Sequence, residues 1–476
     1  MSELPELGRD SDWSGVHAVV AGIGVSGFAA ADALLGLGAR VTVIDGRSGV
    51  VEAERAAVLE ALGAQVRLGD GDTLPGAADV VVTSPGWRPQ SPLFVAAAAG
   101  GVPIWGEVEL AWRLRPTRGA AAWLAVTGTN GKTTTVRMLT SILTAAGLRA
   151  VAAGNVGTPL LEVVMAEPRY DVLAVELSSF QLHWSSSLAM HSAAVLNIAP
   201  DHVDWHGDLD AYAAAKGNIY RGVSGACVYN VADPRTEQLV RDASVTEGAR
   251  AVGFTLGAPG PGQLGVVEDL LVDRAFGGSD RGTAVELATT ADVVPLAPHN
   301  VENALAAAAL ARSFGVTAQA VRDGLRAFRP DAHRIAEVAV VDGVRYVDDS
   351  KATNPHAAAA SLRAYDRVVW IAGGLAKGAV FDDLVAASAP RIRAVVLIGA
   401  DRDVIAKALE RHAPGLPVVV VEATDAGAME IIVAEAARLA TDGDTVLLAP
   451  ACASMDMFTS YAERGDRFAA AVKKLS

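Results

Sequence analysis

Residues 121–139 read AAWLAVTGTNGKTTTVRML: an apolar run, a glycine-rich loop, then a segment with helix-forming character. This succession constrains the fold more than any other feature of the chain. A strand that feeds a helix through a short loop belongs to an α/β layer structure, in which the next strand returns in parallel. The same loop also suggests a chemistry. Glycines let successive backbone N–H groups cradle phosphates, Lys132 can reach the β and γ phosphates, and the Thr133 hydroxyl can ligate Mg²⁺. The strict G-x-x-x-x-G-K-[ST] pattern fails, because its first glycine position is Val126. Gly128, Asn130, Gly131, Lys132, Thr133 and Thr134 are therefore read as a variant phosphate loop. The competing reading is a plain glycine turn capped by threonine; the flanking strand and helix favour the phosphate loop. A kinase, an ATPase and an ATP-driven ligase all remain open on this motif.

Strand-like and helical runs alternate elsewhere too. HAVVAGIG, RVTVID and DVVVTSPG read as strands of a first parallel unit, with a helix from about Val51, and WRLRPTRGA reads as a linker. WLAVTG, DVLAVELS, AAVLNI and CVYN follow, up to Phe328-Arg329-Pro330. Beyond His333 come RIAEVAV, VRYVDD, RVVWIAGG, AVVLIGA, PVVVV and TVLLAP. A chain of 476 residues exceeds one ordinary core, and about three units are expected at roughly 100–200 residues each. The fold class is α/β in three domains. Residues 1–115 are expected to be Rossmann-like, 116–328 P-loop ATPase-like, and 329–476 Rossmann-like again. GAPGPGQLG at 257–265 is the one loose segment.

A net charge of −14 argues against nucleic acid as a partner, since that affinity comes mainly from Lys and Arg neutralising phosphates. An anionic ligand must be held by local groups instead. Cys227 and Cys452 stand too far apart for a disulfide framework or a cysteine-rich zinc site, and both are read as buried thiols. No apolar run reaches the ~18 residues of a membrane span. The start, MSELPELGRDSDWSG, lacks the features of a secretion signal. A cytoplasmic monomer is expected.

Gly22-Ile23-Gly24-Val25-Ser26-Gly27 follows the first strand and opens a helix, and Asp45 ends the next strand. That is the context of a dinucleotide fingerprint. The residues alone leave NAD or FAD, another nucleotide diphosphate, and a structural turn as alternatives. Arg47 could meet a phosphate or a base edge. Further on, Glu176 stands at a strand end in VELSSFQL, and APDHVDWHG gathers Asp201, His202, Asp204 and His206. Hard oxygen donors beside a phosphate loop suit Mg²⁺ better than zinc. Lys216, in AYAAAKGNIY, reads from its surroundings as an ordinary solvated lysine.

Taken in order, GTNGKT, AGNVG, VELSSFQL, NIAPDHVDWHG, AYAAAK, PHNVEN, AHRIAEV, DDSKATN, GGLAKG and PACASMDMF make the chain resemble the Mur ligases over essentially its whole length. The resemblance implies an ATP-dependent amide ligase. GIGVSG with Asp45 and Arg47, together with DSKATN and PACAS, resembles the branch that joins D-glutamate to UDP-N-acetylmuramoyl-L-alanine through an acyl phosphate, for peptidoglycan precursor synthesis. In that family the first domain holds the UDP end, so NAD is not implied. Sister ligases adding another amino acid, and folylpolyglutamate synthase-like ligases, share the ATP motifs. An NAD-dependent oxidoreductase with an accessory ATPase domain and a non-catalytic nucleotide sensor are the readings from other classes.

Carried over residue by residue, the resemblance implies that Lys132, Lys216 and His202 serve catalysis. ATP would be met by Gly128, Asn130, Gly131, Lys132, Thr133, Thr134, Asn300, Asn303, Arg334, Asp349 and Lys351. Thr133, Glu176, His202 and Lys216 would serve two Mg²⁺ ions, Lys216 as a carbamate. Gly24, Val25, Ser26, Asp45, Gly46, Arg47 and Gly86 would surround the UDP-sugar, with Asn155, Ser178 and Gln181 on the muramoyl-alanine arm. Thr353, Lys377, Ser454, Met455 and Tyr461 would hold D-glutamate. Two positions depart from the family pattern. Tyr461 stands where an unsubstituted aromatic ring is expected, and Gly46 where a hydroxyl side chain is usual.

Overall fold

The computed structural model describes residues 7–277, 283–423 and 427–475. The first sheet contains β1 (His17–Ala21), β2 (Arg40–Asp45), β3 (Gln65–Leu68), β4 (Val80–Thr83) and β5 (Ile104–Gly106), in the order β3-β2-β1-β4-β5. All neighbours are parallel. β1 and β4 are buried at every position, as expected for valine-rich strands covered on both faces. Strand order reverses between β1 and β4, which opens a crevice at their C-terminal ends.

The second sheet contains β6 (Ala122–Thr127), β7 (Ala150–Gly154), β8 (Val172–Glu176), β9 (Ser192–Val195), β10 (Ala226–Asn230), β11 (Arg250–Phe254), β12 (Gln263–Val267), β13 (Leu270–Asp273) and β14 (Val285–Thr289). Its order is β14-β13-β12-β11-β10-β9-β6-β8-β7. The stretch from β7 to β12 is parallel, but β12, β13 and β14 pair antiparallel. This antiparallel meander is not among the strands read from the sequence, which for this domain end with CVYN. The loose segment also ends earlier than read, because Gln263, Leu264 and Gly265 already belong to β12.

The third sheet contains β15 (Ala336–Val341), β16 (Val344–Asp348), β17 (Val368–Gly373), β18 (Ile392–Ile398), β19 (Val418–Val420) and β20 (Thr445–Leu448), ordered β15-β16-β20-β17-β18-β19. β15 is antiparallel to β16 through the two-residue turn Asp342-Gly343, both at positive φ; the remaining neighbours are parallel. Alternate residues of β17 feed opposite cores, Val368, Trp370 and Ala372 on one face and Val369 and Ile371 on the other.

The chain divides into two compact units. Met1–Thr289 with Glu302–Ala327 hold the first two sheets, and Thr290–Val301 with Phe328–Ser476 hold the third. Ala297 lies in the core of the second unit. The linker reading needs one correction. Trp112 and Arg113 end a helix, Glu107–Arg113, whose Val108, Leu110, Ala111 and Trp112 are buried, so the connection starts at Leu114. Trp112 stacks edge-on against Trp123 of the second sheet, ring centres 5.1 Å apart. Both cysteines are buried.

Candidate active site

The glycine loop after β1 runs into the helix Val25–Gly36. A Cβ on Gly27 would lie 1.8 Å from the Gly22 carbonyl oxygen, so helix and loop pack this closely only with glycine there. Asp45, at the end of β2, is buried and already engaged: its carboxylate accepts from the Ile23 N–H at 2.9 Å and from the Arg47 N–H at 2.9 Å. It thus ties the Gly22–Gly24 loop to the Gly46–Arg47 turn. Around them is an open cleft of about 640 Å³, lined by Gly22, Gly24, Asp45, Gly46, Arg47, Gly69, Gly71, Asp72, Ser84, Gly86 and Trp87. Val25 and Ser26 open the helix beside it, with Val25 exposed. Among the described residues the buried Ser84 hydroxyl has no hydrogen-bond partner. Ser84 and Trp87 do not stand out in the sequence; their position just after β4, at the reversal of strand order, is the signal that points to them.

The second sheet builds the phosphate loop. β6 ends at Thr127, and the helix Lys132–Ala145 starts after Gly131, whose φ of 85° is left-handed. A Cβ on Gly131 would sit 2.3 Å from Asn303 Oδ1, which also accepts from the Thr135 hydroxyl at 3.2 Å. Asn303 is thereby placed beneath the loop. The Asn130 N–H is held by Asn197 Oδ1 at 2.8 Å, a partner the sequence reading misses. Thr134 is half-buried in the first turn of the helix.

At the edge of this loop, Glu176 joins two predicted residues. Its carboxylate accepts from the Thr133 hydroxyl at 2.7 Å and from the Asn155 amide at 2.9 Å. Pairing of β6 with β8 and of β8 with β7 creates this alignment, because Glu176 ends the central one of the three strands. Ser178 and Gln181 follow at the start of the helix Ser179–His183, where they form a reciprocal capping box. Their side-chain oxygens are committed to backbone N–H groups.

Lys216 is not a surface lysine. It is 2% exposed on the helix Leu209–Gly217, and its ammonium donates to the Gly128 carbonyl at 2.9 Å. Its Nζ also lies 4.6 Å from the centre of the Tyr212 ring. Burial first, and then the nearby Lys132 charge, push its pKa well below the usual lysine value. The Lys132 ammonium folds back to the same Gly128 carbonyl at 2.8 Å and to that of Thr129 at 2.9 Å.

His202, at φ 52°, caps the short helix Val203–His206 and faces Phe180 with ring centres 4.8 Å apart. Burial lowers its pKa, partly offset by Asp201. His206 bonds the Ser179 hydroxyl at 2.9 Å, and burial takes it down to about 4. Among the described residues no group of three or more His, Cys, Asp and Glu side chains is gathered for a metal. The available donors are the Thr133 hydroxyl and the Glu176 carboxylate. Such a small set of hard oxygens suits an ion that keeps water and substrate oxygens, as Mg²⁺ does, and not a closed zinc site.

In the second unit the proposed residues gather at one edge of the third sheet. β16, β17 and β20 are parallel, so the loops carrying Asp349, Lys351 and Thr353, then Lys377, then Ser454 and Met455, all leave from the C-terminal edge. Leu375 and Ala453 exchange backbone hydrogen bonds at 2.9 and 3.0 Å, joining the Lys377 and Ser454 loops. The Lys351 ammonium lies 3.7 Å from the Tyr461 ring centre. Asp349 is buried and bonded to the Ser361 hydroxyl; burial raises its pKa to about 6, against the pull of Ser361 and Arg334. Asn300 donates to the Pro295 carbonyl at 3.0 Å. Lys377 and Met455 are exposed, whereas Ser454 is buried.

Arg464 is a residue the sequence reading misses. It is 1% exposed and donates to the Ser350 hydroxyl at 2.9 Å, the Ser350 carbonyl at 2.8 Å and the Cys452 carbonyl at 3.2 Å. It therefore fastens the Lys351 loop to the Ser454 loop. Nothing in YAERGDRF distinguishes it from an exposed helix arginine.

Fold and site define an α/β protein with a glycine-lined cleft at the first sheet, a glycine loop at the second, and an acid-and-lysine cluster beside that loop. Family models match three consecutive segments: a Mur ligase MurD-like N-terminal domain at residues 16–106, a Mur ligase middle domain at 126–311, and a Mur ligase glutamate ligase domain at 333–452. The chain belongs to the Mur ligase family. It is 67% identical over 465 residues to the UDP-N-acetylmuramoylalanine–D-glutamate ligase of Streptomyces avermitilis, covering 98% of this chain and 99% of that one. It is 60% identical to the enzyme of that name from Thermobifida fusca, over 97% of this chain and 99% of the relative. Among solved structures, UDP-N-acetylmuramate–alanine ligase from Thermotoga maritima shares the fold, with a TM-score of 0.57 and 19% identity over 97% of this chain and 100% of that one. Among the described residues no helix is long and apolar enough to cross a membrane.

Proposed function

We propose that the chain is a cytoplasmic, monomeric ligase that joins D-glutamate to UDP-N-acetylmuramoyl-L-alanine at the expense of ATP, in peptidoglycan precursor synthesis. Residues 1–115 would hold the UDP end of the substrate, 116–328 ATP, and 329–476 the amino acid. The observation that carries this reading is the convergence of Lys132, Lys216, Thr133 and Glu176 on one glycine loop. The high identity to D-glutamate ligases supports the choice of amino acid over that of the sister ligases. The match to an N-terminal domain argues against a folylpolyglutamate synthase-like enzyme.

The chemical problem is that a carboxylate is a poor electrophile. An oxygen of the alanyl carboxylate attacks the γ-phosphorus, the bond to the β-bridging oxygen breaks, and ADP leaves. The amine of D-glutamate then adds to the acyl phosphate carbon, loses a proton, and the tetrahedral adduct expels phosphate to leave the amide. The N–H groups of the loop, and Lys132 once drawn off the Gly128 and Thr129 carbonyls, would neutralise charge on the transferring phosphoryl group. Thr133 and Glu176, with His202 nearby, would hold Mg²⁺, which supplies further charge neutralisation when bound. Asn155 is directed by Glu176 and would orient the muramoyl-alanine arm. Lys377, Ser454 and Thr353 would fix the two carboxylates of D-glutamate, with Met455 and Tyr461 closing the pocket. Asn300, Asn303, Arg334, Asp349 and Lys351 would contact ATP.

Lys216 is proposed to act as a carbamate. Burial disfavours its ammonium form, and only a neutral amine can attack CO₂, forming the N–C bond and releasing a proton. The resulting anion would answer the positive charge of Lys132 and supply hard oxygens. The functional test is direct. Phosphate release with ATP and Mg²⁺ should require both the nucleotide substrate and D-glutamate, and the product mass should equal their sum less water. Equal turnover with L-glutamate or a diamino acid would overturn the substrate assignment.

A further inference from the structure

The helix Glu107–Arg113 leaves the first sheet directly after β5 and buries two acidic side chains against the second domain. Glu109 is completely buried. Its carboxylate accepts from the Ser186 and Ser187 N–H groups at 2.8 and 3.0 Å, the Ser187 and Ser186 hydroxyls at 2.6 and 3.4 Å, and Arg113 Nε at 2.7 Å. Two residues earlier, Glu107 accepts from the Leu161 N–H at 3.2 Å. The Gly106 N–H, at the end of β5, donates to the Trp184 carbonyl at 2.8 Å, and Trp184 packs on Phe94 with ring centres 5.0 Å apart.

A buried charge at a domain junction is often no more stabilising than apolar side chains of the same volume; what a fully hydrogen-bonded carboxylate adds is direction and register. The bonded segments are informative in this respect. Leu161 belongs to the stretch that begins at Asn155, and Ser186-Ser187 closes the turn that begins at Ser178 and Gln181. Both grips therefore fall on the segments proposed to contact the substrate's peptide arm. We infer that this helix sets the span between the nucleotide cleft and the phosphate loop, and that Glu109 is the positioning residue that locks it. A substrate held at both ends gains effective concentration at the second site only when the span fits its length. A slack helix would leave each half-site intact and remove that gain. An ion pair between the same domains, Arg88 with Asp204 at 3.1 Å, is exposed on both sides and adds little.

This inference rests on the reading of the cleft as the UDP site and of the loop as the ATP site. The test compares wild type, Glu109→Gln, and a Ser186→Ala/Ser187→Ala double variant by calorimetry with UDP, ADP and UDP-N-acetylmuramoyl-L-alanine, alongside steady-state kinetics. The Glu109→Gln side chain keeps an acceptor for the two backbone N–H groups while losing the charge. In both variants UDP and ADP affinities should stay within about twofold of wild type. The intact nucleotide substrate should bind at least about tenfold more weakly, approaching UDP alone, and its KM should rise while the KM for ATP does not. Wild-type affinity for the intact substrate in the folded variants would overturn the inference, as would a parallel loss of all three ligands. Should Glu109→Gln not fold, the serine double variant decides by the same criteria. A wild-type protein that binds neither UDP nor the intact substrate would instead overturn the functional reading beneath it.

Discussion

Lys132 and Lys216 place their side-chain nitrogens on the same carbonyl oxygen, that of Gly128, at 2.8 and 2.9 Å. Two positive charges on one acceptor would repel each other, which together with burial disfavours the Lys216 ammonium, and anions relieve the arrangement. ATP phosphates would draw Lys132 away, and carbamate formation would make Lys216 an anion.

Lys216→Ala is therefore expected to fold normally, as judged by thermal unfolding, and to lose at least about a hundredfold in turnover, the scale of losing a group that stabilises charge at the reacting centre. Short carboxylic acids should restore part of it by supplying the missing oxygens. Near-normal turnover of the variant, or an unmodified amine in the active protein under bicarbonate, would remove the role assigned to this residue.

Glu176 accepts the Thr133 hydroxyl and the Asn155 amide at once. Glu176→Gln keeps the shape and loses the charge. The Mg²⁺ concentration needed for half-maximal rate should rise roughly 10- to 100-fold, with little change in the affinity for UDP. A Mg²⁺ titration that superimposes on wild type would sink this assignment.

Much of this site is legible in the sequence because its residues are contiguous or end strands. GTNGKT announces both strand and helix, and Glu176 stands where a strand must stop. The burial of Lys216 is not legible: AYAAAK has no feature that separates a buried lysine from a solvated one, since its acceptor at Gly128 is 88 residues away in sequence. Arg464 is hidden for the same reason, as its partners Ser350 and Cys452 lie in loops of other strands. The meander β12-β13-β14 escapes the sequence reading because its strands are only four or five residues long and β12 follows directly on a Gly- and Pro-rich run that reads as loop. Trp112 reads as linker on the strength of the nearby Pro116 and Gly119, but packing against Trp123 extends the helix through it.

Glu107 gives a pH-dependent signature of stability. Burial raises its pKa from 4.5 to about 7, despite hydrogen bonds from Leu161 and Leu160 that work the other way. Between these values the native state retains a proton that the unfolded chain releases. The stabilisation is complete below about pH 4.5 and is lost as pH rises through about 7. The effect is on the order of 3 kcal/mol at most. Glu107→Gln should leave stability nearly unchanged at about pH 5 and raise it at about pH 8, measured by urea unfolding. Equal effects at the two pH values would contradict the shift.

Lys377 is exposed on the loop after β17, at a left-handed φ of 51°, joined to the Ser454 loop through Leu375 and Ala453. Lys377→Ala should raise the KM for D-glutamate at least about tenfold while leaving the KM for ATP within about twofold, because a lost charge-assisted contact is worth about 1.5–3 kcal/mol. An unchanged KM for D-glutamate would place the amino-acid pocket elsewhere.

Carboxylate activation through an acyl phosphate is the central chemical claim, and oxygen tracing tests it most directly. UDP-N-acetylmuramoyl-L-alanine labelled with ¹⁸O in both oxygens of the alanyl carboxylate would be turned over with ATP, Mg²⁺ and D-glutamate, and the released phosphate and amide product weighed by mass spectrometry. One label is expected in each phosphate and one in each new amide carbonyl. Phosphate carrying no label, with ADP and product formed normally, would contradict that claim.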